Sequence, residues 1–85
     1  MGLTHKINTP ATQDATLIRL IKQAGGIPFV KTNVPQTMLS FESGNPLFGR
    51  SSNPYNPERI TGGSSGGEGG LLGSDGSVVG IGSDM

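Results

Sequence analysis

Apolar residues recur at Ala15, Leu17, Ile18, Ile21 and Ala24, close to the i, i+3, i+4, i+7 spacing of a one-faced helix. Leu20 widens the stripe, and Arg19 and Lys22 take the opposite side. Thr9-Pro10 is a helix-entry signal and Thr12 an alternative N-cap, with Asp14 then suited to the first turn. Gly25-Gly26 supplies a residue able to take the left-handed conformation that ends a helix. The pattern predicts a helix over 12–24. Ile27-Pro28-Phe29-Val30-Lys31 follows at once, a short apolar run that predicts a strand over 27–31 with Pro28 near its start.

From 32 to 61 the periodicity is lost. Pro35, Pro46, Pro54 and Pro57 fragment the chain, and Asn45-Pro46, Asn53-Pro54 and Asn56-Pro57 are turn signals. The reading is irregular over 40–61, with a short helix around 35–39. Met38, Leu39, Phe41, Leu47, Phe48 and Tyr55 nevertheless argue that this long loop packs against something. Beyond it, Leu71-Leu72 and Val78-Val79-Gly80-Ile81 interrupt a glycine-rich tract. They predict a helix over 66–74 and a strand over 78–82, although each interior glycine costs the helix about 1 kcal/mol. The expected order is helix, strand, long loop, helix, strand, the arrangement of an α/β layered fold.

Composition narrows this further. The chain has 85 residues, 15 of them Gly and 6 Pro, with three Phe, one Tyr and no Trp. A domain that small buries only about 60% of its unfolded surface, so stable folding in isolation is not expected. Six basic and six acidic residues cancel, which gives no electrostatic footprint for nucleic acid. No stretch approaches the ~20 apolar residues of a membrane span. With no Cys and a single His, neither a disulfide framework nor a metal constellation is expected.

Ten of the 21 residues from 62 to 82 are glycine, which by composition alone also fits a solvated linker. A phosphate-binding loop needs a Lys followed by Ser or Thr after the glycines, and Glu68 stands there instead. No G-x-G-x-x-G register follows a strand. Gly62-x-Ser64-x-Gly66 satisfies the nucleophile elbow of α/β-hydrolases, but His5 lies upstream of Ser64, against the chain order that elbow demands.

A fourth reading rests on resemblance. Gly62-Gly63-Ser64-Ser65-Gly66-Gly67-Glu68-Gly69, followed by Gly80-Ile81-Gly82-Ser83-Asp84, is similar to the core of the amidase signature family. The stretch from Pro28 to Met38 resembles it too, as do Asn45-Pro46-Leu47-Phe48-Gly49-Arg50 and Asn53-Pro54-Tyr55, and together they point to its fatty-acid amide hydrolase branch. The similarity runs from about residue 10 to residue 84. It implies that the chain is a partial slice of a large mixed-sheet fold flanked by helices. It also implies hydrolysis of amides, with acyl amides as substrates, by a Ser-Ser-Lys set that needs no cofactor or metal.

Residue by residue, the resemblance makes Ser64 the bridging serine, which follows a cis peptide bond and relays a proton between a lysine base and the nucleophilic serine. A hydroxyl suits that role because it donates and accepts at once. Ser64 and Met38 match substrate-binding positions, and Gly62, Gly63 and Ser65 supporting ones. Met38 is equally well read as a packing residue, and Ser65 as a hydroxyl bonded to the loop backbone. The family's nucleophile belongs to a Gly-Gly-Ser loop a few residues beyond Asp84, and its lysine to a segment upstream of Gly2. Lys6, Lys22 and Lys31 do not match the lysine. Residues 1–85 are therefore expected to be an incomplete amidase signature domain, inactive alone, with any membrane association left to other segments. The alternative is a non-catalytic paralogue acting as a binding protein.

Overall fold

The computed structural model describes residues 2–84. Two eight-residue helices dominate, α1 over Thr16–Gln23 and α2 over Gly66–Gly73, with single 3-10 turns at Thr4–Lys6 and Gln36–Met38. A two-residue antiparallel ladder joins β1 (Gly44–Asn45) to β2 (Gly49–Arg50), in the register Gly44 opposite Arg50 and Asn45 opposite Gly49. A small mixed fragment of an α/β fold results.

α1 carries the apolar stripe read from the sequence but starts later. Ala15 is its N-cap, without a side-chain cap, so neither Thr9 nor Thr12 caps it. Asp14 stands before the first turn and accepts a 2.6 Å hydrogen bond from the Lys22 ammonium. The exit is as expected. Gly25 takes φ +90°, Gly25 N–H bonds the Lys22 carbonyl (3.1 Å) and Gly26 N–H bonds that of Ile21 (2.9 Å), a complete Schellman motif. α2 ends in the same way, with Asp75 at φ +58° and Gly76 N–H on the Leu71 carbonyl (2.9 Å).

The strands at 27–31 and 78–82 are not formed, and the one ladder among the described residues lies within the span read as irregular. A strand exists only through a partner. Residues 27–31 find none among the described residues. At 78–82 two of the groups a ladder would use are already engaged: Ile81 N–H bonds the Glu68 carboxylate (3.0 Å), and the Val79 carbonyl accepts from the Ser77 hydroxyl (2.7 Å).

The interior among the described residues is polar. No large apolar side chain is buried there, whereas Ser43 is fully buried and Asn45 nearly so. Asn45 Nδ2 donates to Asn33 Oδ1 (2.6 Å) and the Val34 carbonyl (2.9 Å), while its Oδ1 accepts from Leu47 and Phe48 N–H (both 3.0 Å). Asn33 Nδ2 reaches the Gly49 carbonyl (3.0 Å) and Ser51 Oγ (3.1 Å). The Asn-Pro turns work by the same device: Asn53 Oδ1 accepts from Tyr55 N–H and Asn56 Oδ1 from Glu58 N–H, each at 2.9 Å.

Five of α2's eight residues are glycine, and the polar knot explains why the helix forms nonetheless. The long loop lies directly on its backbone. Gly67 N–H bonds the Asn33 carbonyl at 3.0 Å, and side chains at Gly66 or Gly67 would collide with Ser43, Thr61 and the Asn33 backbone. Close approach outweighs propensity.

Candidate active site

Ser64 immediately precedes the N-cap of α2, in the tract Gly62 to Ser65. The Gly63–Ser64 peptide bond is cis. Gly62 adopts φ +83°, and Gly63 passes so close to the 40–41 segment that a Cβ would lie 2.5 Å from the Ser40 carbonyl oxygen. Both glycines are thus required by the path of the chain.

Ser64 and Met38 line one cleft of about 430 Å³, together with Leu39, Phe41, Gly63 and Asp84. A second recess of about 570 Å³ shares Phe41, Gly63 and Asp84 with it and takes in Gly62, Ser65 and Gly82. Thr37 and Met38 carry φ of +57° and +63°, a region bulky L-residues avoid at a cost of about 1–3 kcal/mol each. Met38 N–H bonds the Pro35 carbonyl at 3.0 Å, which closes this tight turn against the cleft.

The two serines differ sharply. Ser65 Oγ accepts from Ser83 N–H (3.1 Å) and donates to the Ser83 carbonyl (3.5 Å), clamping the segment that leads to Asp84. Ser64 Oγ makes no such bond among the described residues, and only the Ser64 carbonyl is engaged, by Ser43 Oγ. Glu68, in the first turn of α2, accepts from Thr32 Oγ1 (2.6 Å) and Ile81 N–H (3.0 Å), so one carboxylate ties the 32 and 81 segments to the helix.

Ser43, Asn33, Asn45 and Glu68 escaped the sequence reading as site-building residues. In the sequence Asn45-Pro46 marks only a turn, and Glu68 only counts against a phosphate-binding loop. Nothing in the local sequence marks Ser43, whose partners lie about twenty residues away.

The sequence matches the family described as Amidase over residues 1–85. It is 54% identical over 84 residues to fatty acid amide hydrolase 1 of Caenorhabditis elegans, covering 99% of this chain and 15% of that protein. It is 46% identical to fatty-acid amide hydrolase 1 of Sus scrofa over 85 residues (100% of this chain, 15% of that one). Identity is also 46% to fatty-acid amide hydrolase 2 of Homo sapiens over 84 residues (99% and 16%). The chain thus spans about one sixth of the length of these relatives.

Proposed function

The chain belongs to the amidase family, and from that premise we propose that residues 1–85 are one slice of a serine amide hydrolase in which Ser64 is the proton relay. The lysine base and the nucleophilic serine lie on other segments of the domain. Neutral lysine takes the Ser64 proton as Ser64 takes that of the nucleophile. The nucleophile's oxygen attacks the amide carbonyl, the proton returns along the same path to the departing amine, and water then releases the carboxylic acid. Acyl amides are the substrate class, with Met38 beside the acyl group and Gly62, Gly63 and Ser65 shaping and holding the loop. These 85 residues alone do not turn over substrate.

The observation that carries this reading is the contrast between the serines. Among the described residues the Ser64 hydroxyl is uncommitted on the cleft that Met38 lines, whereas that of Ser65 is spent on Ser83. The test grafts residues 1–85 into the Caenorhabditis elegans relative in place of the matching segment and follows turnover of a long-chain primary amide. Ser64→Ala is expected to lower kcat at least about a hundredfold, the scale of a lost acid–base step, and Ser65→Ala to cost less. The reverse order would overturn the assignment. An inactive unsubstituted graft would favour the non-catalytic paralogue.

A further inference from the structure

We propose that Ser43 is a positioning residue for the serine loop, acting as a helix cap supplied from another part of the chain. It rests on the amide-hydrolase reading of Ser64. Ser43 is fully buried, and its single oxygen meets three groups of the loop. Oγ accepts the N–H of Gly66 at 2.8 Å and faces the carbonyls of Ser64 at 3.1 Å and Gly62 at 3.3 Å as donor. Gly66 opens α2, so its N–H is one of the four that a helix cannot satisfy internally. The helix's own N-cap, Ser65, makes no cap bond, because its hydroxyl is turned to Ser83. Ser43 takes over the capping role across 23 residues of sequence.

The consequence falls on Gly63 and Ser64. Carbonyls on both sides of Gly63 and the N–H two residues after Ser64 converge on one oxygen, so the loop bearing Ser64 is held at its ends while the Ser64 side chain has no partner among the described residues. Ser43 can serve as that post because it is itself fixed. Its carbonyl accepts Ser51 N–H (2.9 Å) and lies 3.5 Å from Asn33 Nδ2, and its next neighbour, Gly44, begins β1. Ser43 touches no reacting atom. It sets where Ser64 stands.

The test uses the same grafted enzyme. Ser43→Ala is expected to lower kcat at least about tenfold with KM within about twofold, since a displacement near 1 Å of a reacting group costs on the order of a hundredfold. Ser43→Cys, which keeps a weak donor and acceptor at the same place, recovers part of that loss. Ser51→Ala removes another hydroxyl of the polar knot, without contact to the serine loop, and is expected to leave kcat within about twofold. Hydrogen exchange over 62–68 supplies a readout independent of turnover, with faster exchange in Ser43→Ala and an intermediate rate in Ser43→Cys. Unchanged kcat or unchanged protection in Ser43→Ala overturns the inference, as does an equal loss of kcat in Ser51→Ala. Should the unsubstituted graft be inactive, the amide-hydrolase reading falls separately, and unchanged exchange would still overturn the cap itself.

Discussion

Two glycines three residues apart on α2 are expected to respond to the same substitution with opposite sign. A Cβ at Gly67 would lie 2.6 Å from the Asn33 carbonyl oxygen and 2.8 Å from its Cα. Both are main-chain atoms, so no rotamer change relieves the clash. Asn33 can retreat only by giving up the 3.0 Å bond from Gly67 N–H and disturbing its side-chain bonds to Gly49, Ser51 and Asn45. Overpacking of that kind costs about 1–3 kcal/mol and the hydrogen bond about 1 more. Alanine's better helix propensity returns at most about 1, leaving Gly67→Ala destabilised by about 1–3 kcal/mol. At Gly70 the same Cβ meets Thr61 Cγ2 at 3.4 Å and the Ser52 carbonyl oxygen at 3.7 Å, which is ordinary contact. There the propensity gain survives, about 0.5–1 kcal/mol in favour of Gly70→Ala. Urea unfolding of the grafted enzyme decides it, because both variants share one background and the order of midpoints is the observable. Equal midpoints, or Gly67→Ala above Gly70→Ala, would refute the claim that close approach selects glycine in this helix.

Other outcomes follow from the same geometry. The 85-residue chain on its own is expected to show no cooperative thermal transition by circular dichroism, since among its described residues no large apolar side chain is buried; a sharp melt with protected amides would contradict this. Asp75→Gly is expected to raise the urea midpoint by the equivalent of about 0.5–1 kcal/mol, because φ +58° strains an L-residue. Gly25→Ala, at φ +90°, is expected to lower it by about 1–2 kcal/mol, and a neutral result at either helix end would argue against the Schellman geometry.

What could be read from the sequence depended on how local its cause was. α1 was visible because its stripe and its Gly25-Gly26 stop are contained within a dozen residues. α2 was visible only as two leucines in a glycine tract, and the reason for its glycines became clear once Asn33, Ser43 and Thr61 were seen against its backbone. The absent strands fail for the complementary reason. Val78 to Ile81 has the composition of a strand, but pairing is a long-range event, and here a carboxylate from α2 takes the Ile81 N–H. Within the site, motif resemblance singled out Ser64, Met38 and the neighbouring glycines. It passed over Ser43, a solitary serine in a loop whose significance lies wholly in what stands opposite it.

The asparagines that fold the long loop also determine how it ages. Deamidation proceeds when the backbone nitrogen of the next residue loses its hydrogen and attacks the side-chain carboxamide, closing a five-membered imide. At Asn45, Asn53 and Asn56 that next residue is proline, whose ring nitrogen has no hydrogen to lose. The residue that gives each turn its stiffness therefore also closes the main chemical route by which its asparagine would become aspartate. At Asn45 such a change would replace the carboxamide donor, now shared between Asn33 and Val34, with an anionic oxygen facing two acceptors.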